Sequence, residues 1–284
     1  MRKIFSIILF VLSFSISYSY TKYQTGTAVS FDGTSIAYAT EGEGEIAIVF
    51  VHGWSCDLMY WENQIDHLML NNKYQIVAID LAGHGDSGKE RVNYTIESFA
   101  KDVEAVVNEL QLQKVILAGH SMGGAVILEA SRLLKGKLLG LLCVDTAHDL
   151  GAKYTEEQRQ QYIAPLKENF KENTNHFVRS MFPGTADPKL VEEIAADMSS
   201  APEKIAISAM ENLTLYEGTE TLHELDAPII AINADLWPTN VEGNQKLVKS
   251  FELKLMKGYG HFLMKENPVL FNQLMDEAIT ELTN

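Results

Sequence analysis

Six residues, Gly119-His120-Ser121-Met122-Gly123-Gly124, constrain this chain more than any others. The apolar run Val115-Ile116-Leu117-Ala118 leads into them, and a helical pattern over 125–130 follows. That order predicts a buried strand, a sharp turn and a helix, with a serine at the tip. The serine hydroxyl can project above a sheet only from a strained turn, and side chains two positions to either side would collide there. Glycines at 119 and 123, spaced as G-x-S-x-G, answer that demand. A helix start behind Ser121 supplies N–H groups and a positive dipole end, both of which favour a developing oxyanion. A Gly-rich strand-to-helix turn capped by an ordinary serine would carry the same six residues, so the rest of the chain must decide.

The rest of the chain alternates strand and helix. Strands are predicted on either side of Asp32-Gly33, a hairpin signal. A continuous apolar run follows at 46–51, as expected of a strand buried on both faces, and further strands are predicted over 74–79, 115–118 and 138–144. Helices are predicted over about 60–70 and after Thr95, where Phe99, Val103, Val106, Val107 and Leu110 keep helical spacing. From about Leu150 to Leu222 no buried strand is legible, and helical stretches are punctuated by Pro165, Pro183-Gly184, Pro188 and Pro202. The alternation resumes with a strand over 228–233, a helix over about 240–250, a strand over 251–256 and a last helix from Pro268 to about Leu282. Repeated alternation of this kind implies a mostly parallel sheet of about eight strands with crossover helices on both faces. The expected organisation is a signal segment at 1–19, a core at 20–149 and 223–284, and a helical lid at 150–222.

The amino terminus reads as an export signal. Met1-Arg2-Lys3 is basic, 4–14 is apolar, and small residues near 15–19 offer a cleavage site. The apolar run is too short to span a bilayer comfortably, which leaves no stable membrane span after cleavage. With no cysteine near that site, a lipid anchor is not expected, and the mature chain should be periplasmic or secreted. The formal charge is −15, and loss of Arg2 and Lys3 makes it −17. A body that acidic repels phosphate backbones, so nucleic acid is not an expected partner. Two cysteines, Cys56 and Cys143, are read as unpaired buried residues.

Four motifs, each at the end of a predicted strand, carry a resemblance. They are His52-Gly53-Trp54, Asp80 with Gly83-His84-Gly85-Asp86-Ser87, the turn around Ser121, and Gly258-Tyr259-Gly260-His261. In this order the chain resembles the α/β-hydrolase superfamily over nearly everything after the signal except the helical insertion. The resemblance implies that Ser121 is the nucleophile, with His261 as the base that a serine hydroxyl needs at neutral pH. It also implies an oxyanion hole of two backbone N–H groups, those of Trp54 and Met122. The acid is expected after the strand at 228–233, where Asp235 is the carboxylate present. That loop lacks the family's glycine and is shorter than usual, and Asp145, closing the strand at 138–144, is the alternative.

The function implied is an exported serine hydrolase that cleaves carboxylic esters or lactones, with a small apolar ester-type substrate and no cofactor. A serine nucleophile argues against the dehalogenase and epoxide-hydrolase branches, which use aspartate. Carbon–carbon hydrolases, acyltransferases and cofactor-free haloperoxidases stay open. So does a ligand-binding protein that keeps the fold without turnover, which the irregular loop at Asp235 would favour. No metal constellation or phosphate-binding loop is legible.

Overall fold

Strands with no polar face must be covered on both sides, and here they lie side by side through the middle of the molecule. The computed structural model describes residues 22–284, so the segment read as an export signal lies outside the described residues. β1 (Gln24–Val29) and β2 (Ser35–Glu41) form the expected antiparallel hairpin. β3 (Ile46–Val51), β4 (Gln75–Ile79), β5 (Lys114–His120), β6 (Leu138–Val144), β7 (Ile229–Ala234) and β8 (Phe251–Met256) follow. They assemble in the order β1-β2-β4-β3-β5-β6-β7-β8. Every pair from β4 to β8 is parallel, while β2 runs antiparallel to both its neighbours. Parallel strands share their carboxyl ends, so the loops after β3, β5, β6, β7 and β8 gather at one edge, where open α/β sheets bind ligands.

α1 (Glu62–Met69) follows a short 3₁₀ turn at Leu58–Trp61, and α2 (Ile96–Glu109) and α3 (Met122–Leu133) complete the first half. The Thr95 hydroxyl accepts from Ser98 N at 3.1 Å, which caps α2 as its sequence predicts. Phe99, Val103, Val106 and Val107 are fully buried beneath it. Between β6 and β7 there is only helix: α4 (Glu156–Glu168), α5 (Phe170–Arg179), α6 (Pro188–Met198), α7 (Glu203–Leu215) and α8 (Thr219–Glu224). The helical run ends two residues beyond the expected edge at Leu222. α9 (Val241–Leu247), α10 (Leu263–Glu266) and α11 (Pro268–Thr283) close the chain. Cys56 and Cys143 are buried free thiols.

Polar bonds as well as apolar contacts fasten the insertion to the body. Trp54 Nε1 donates to Ala206 O at 2.7 Å, and Tyr60 Oη donates to an Asp197 oxygen at 2.6 Å. On α3, Glu129 accepts from Tyr216 Oη and Thr221 Oγ1, at 3.0 and 2.7 Å. Phe170, Met181, Met198 and Met210 bury their side chains in this seam. Sequence marked the insertion by the absence of strands; its attachment depends on residues 87 to 152 positions away.

The seam carries a cost at Asp57. Its carboxylate accepts from Met59 N at 2.9 Å, capping the 3₁₀ turn. Burial, and then the charge of Asp197, push its carboxyl up to about 6. A carboxyl whose folded pKa lies above its unfolded value destabilises the fold once ionised. The penalty is therefore absent at low pH, sets in above about pH 4 and is complete above about pH 6. Asp57→Asn keeps a capping side chain without the charge. It should raise Tm by about 2–4 °C at pH 8 and change it little at pH 4. Thermal melts of both proteins at the two pH values check this, and equal shifts at both would contradict the charge argument.

Candidate active site

The turn between β5 and α3 is built by close backbone contact. Ser121 sits at φ 54° and ψ −118°, a strained conformation for a residue with a side chain. Its amide donates to Val144 O at 3.1 Å, and its carbonyl accepts from Gly124 N at 2.9 Å. A Cβ on Gly119 would lie 2.3 Å from Gly123 O, and one on Gly123 would lie 2.4 Å from Val51 O. Both contacts are backbone against backbone, so neither neighbour could yield. The spacing read from sequence is thus a steric requirement of this turn, and Ser121 is left half-buried at the opening of a cavity.

His261 lines the same cavity, in the loop between β8 and α10. Its Nδ1 lies 2.6 Å from Oδ2 of Asp145. This corrects the expectation for the acid. Asp235 is exposed, and its Oδ1 accepts from Gly258 N at 2.7 Å, so it braces the base of the His261 loop from outside. The chain leaving β7 turns outward directly after Ala234, and the short glycine-free loop carries Asp235 away from the imidazole. Asp145 instead closes β6 at φ 42°, with its second oxygen held by Ala234 N at 2.7 Å. Burial would raise its carboxyl, but the imidazoles of His148 and His261 outweigh this and hold it well below the usual carboxylate range. A buried carboxylate on Nδ1 fixes the tautomer that leaves Nε2 free to take a proton.

The other motif histidines do structural work. His120 Nε2 donates to His261 O at 2.9 Å, and the His261 amide donates to Met181 O at 2.9 Å. The loop carrying His261 is therefore held from the end of β5 and from the insertion. His52 Nδ1 donates to Gly53 O at 2.8 Å while its Nε2 accepts from Leu81 N at 3.0 Å. Burial pushes His120 down to about 3 and His84 down to about 4, and it lowers His52 as well, so all three are neutral. His148 lies nearer the chemistry than its position beside the insertion indicated. It lines the cavity, with Nε2 3.8 Å from Asp145 Oδ1 and Nδ1 3.2 Å from Thr239 Oγ1. Its one sequence signal was the Asp145-Thr146-Ala147-His148 spacing. Trp237, after β7, packs edge-on against both His148 and His261.

Of the expected oxyanion donors, Met122 opens α3, where first-turn N–H groups lack intrahelical acceptors. Trp54 follows Gly53, whose hypothetical Cβ would stand 3.3 Å from Ser121 Cβ, so the two turns abut. The cavity they border holds about 580 Å³. Its far walls come largely from the insertion: Tyr162, Phe177, Met181, Met198, Met210 and Leu213.

Residues 46–268 match the model of the alpha/beta hydrolase fold family. The chain belongs to that family. This α/β hydrolase is 33% identical over 150 residues to the dihydrolipoyllysine-residue acetyltransferase component of the acetoin cleaving system of Pseudomonas putida, covering 53% of the chain and 38% of the relative. It is 34% identical over 103 residues to a non-heme chloroperoxidase of Streptomyces lividans, covering 36% and 37%. The chain spans less than half the length of these curated relatives. A thermophilic esterase from Thermogutta terrifontis superposes with a TM-score of 0.80 at 21% identity, covering 92% of this chain and all of that one, which shows a shared fold.

The geometry ranks the two carboxylates of this hydrolase. Asp145→Asn should lower kcat on any ester it cleaves by about 10³–10⁴-fold, because an amide cannot hold the imidazole tautomer. Asp235→Asn should stay within about threefold of wild type, since an exposed amide oxygen can still accept from Gly258 N and only a charge remote from the imidazole is lost. Steady-state kinetics on both variants decide it, and the reverse order would restore Asp235 as the acid.

Proposed function

We propose that this α/β hydrolase cleaves carboxylic esters or lactones through an acyl-enzyme on Ser121. The observation that carries the reading is a half-buried serine, strained at a helix amino terminus, in one cavity with a histidine whose Nδ1 is bonded to a buried carboxylate. His261 Nε2 takes the Ser121 proton as the hydroxyl attacks the carbonyl. Trp54 and Met122 amides receive the negative charge that develops on the carbonyl oxygen, at fixed positions that need no reorganisation. His261 then protonates the leaving alcohol, and water, activated by the same imidazole, releases the acid. Asp145 keeps its charge throughout and stabilises the imidazolium.

The helices α4 to α8 act as a lid. Their aromatic and methionine side chains roof the cavity and exclude water, which favours an apolar acyl or alcohol group. A binding protein without turnover was favoured only by the irregular loop at Asp235, and that support lapses with Asp145 in the acid's place. Export remains a reading of residues 1–19; finding the chain with residues 1–19 removed in a periplasmic or culture fraction tests it.

Incubation with a fluorophosphonate probe should label folded wild-type protein once, at Ser121, and leave Ser121→Ala unlabelled. The same substitution should lower p-nitrophenyl ester hydrolysis by at least about 10³-fold with little change in Tm. An unlabelled wild type, or a variant keeping a tenth of the activity, would overturn the mechanism.

A further inference from the structure

The cavity continues well past the nucleophile, down the flank of α3. Ser121, Gly124, Ala125 and Leu128 line one side of it. At 1.5 Å per helical residue, Leu128 lies about 10 Å below Ser121. Asp145, Cys143 and Leu141 line the opposite side, alternate positions on one face of β6. Ile229, the register partner of Leu141 on β7, extends this wall. Four strand residues span about 13 Å, so the sheet side reaches as deep as the helix side. Leu213, Thr214, Tyr216 and Gly218, from the end of α7 and the link to α8, form the third wall.

Two hydroxyls at the deep end of this arm are engaged by the fold. Thr214 Oγ1 is within 3.1 Å of Met210 O and 3.0 Å of Glu211 O, and Tyr216 Oη is bonded to Glu129. Burial pushes the Cys143 thiol up to about 12, so it stays a neutral, weakly polar wall. A polar substrate group entering here would exchange water for few partners. A methylene chain loses nothing, and each carbon buried adds about fourfold in affinity.

We propose that this arm is an acyl subsite and that the enzyme prefers esters of unbranched medium-chain acids over acetates. A depth of roughly 10 Å suits a chain of about eight carbons. The acyl group is the half of the substrate that stays bonded to Ser121, and the arm begins at the residues beside that serine. The proposal rests on the hydrolase reading above.

The test compares p-nitrophenyl octanoate with p-nitrophenyl acetate on wild type, Leu128→Phe and Gly218→Val. Gly218 has φ −74°, so a side chain there meets no backbone strain. Its Cβ would lie 2.9 Å from Leu128 Cδ2, inside the arm. The wild-type kcat/KM ratio of octanoate to acetate should be at least tenfold, and it should fall at least tenfold in either variant. A wild type that cleaves acetate as well as octanoate, or variants that keep the wild-type ratio, would overturn the proposal while leaving the hydrolase reading intact. A second measurement needs neither turnover nor those variants. Methyl octanoate should raise the Tm of Ser121→Ala where methyl acetate at the same concentration does not; equal shifts count against the arm. Failure of every ester to react, with stabilisation by methyl octanoate preserved, would sink the hydrolase reading and leave the chain-binding arm standing.

Discussion

The contact on which the site depends is the one between Gly123 and the end of β3. With no side chain at 123, α3 starts directly against the carbonyls of Val51 and His52. That approach sets three things together: the strain at Ser121, the meeting of the 53–54 turn with the serine, and the alignment of α3's amino terminus on the reacting atoms. Any side chain at 123 would move helix and strand apart and misplace all three. Strain of this kind persists only where the surroundings over-determine it, and here the buried strands on both sides of β5 supply the rigidity.

How much of this was legible depended on how local each signal is. Ser121 was legible because its constraint lies within two residues on either side. His261 was legible because the loop carrying it follows the last strand in a recognisable motif. The carboxylate that meets His261 was not, because position after a strand identifies a neighbourhood and not the direction a carboxylate faces. Asp145 and Asp235 both follow strands whose ends adjoin the site. Only the sheet shows that Ala234 donates its amide to Asp145 while the next residue turns out to solvent. The nearness of His148 to Asp145 was hidden for the same reason, since it depends on how the chain leaves β6. The helices of the insertion could be recognised from spacing and proline punctuation, but not the partners they would find on the body.

The electrostatic arrangement is economical in charge. Three histidines around the site are kept neutral by burial and serve as fixed hydrogen-bonding groups, while the Asp145 carboxylate bonded to His261 stays ionised. The surplus negative charge of the body lies mostly at exposed positions, where solvent and salt screen it.

The bond from the His261 amide to Met181 O has a consequence for how this enzyme could have diversified. Gly260 is pressed so closely on the α5–α6 link that a Cβ there would lie 2.5 Å from Met181 O and 2.8 Å from Pro183. The insertion is therefore not an independent module laid on a finished catalytic core, because part of it holds the base in place. An opening motion that lifted residues 181–183 would dismantle the site it was meant to admit substrate to. This corner of the insertion and the His261 loop therefore form one packed unit. A change in the α5–α6 link of this chain would have to be matched by a change at residues 258–262 to keep His261 in place.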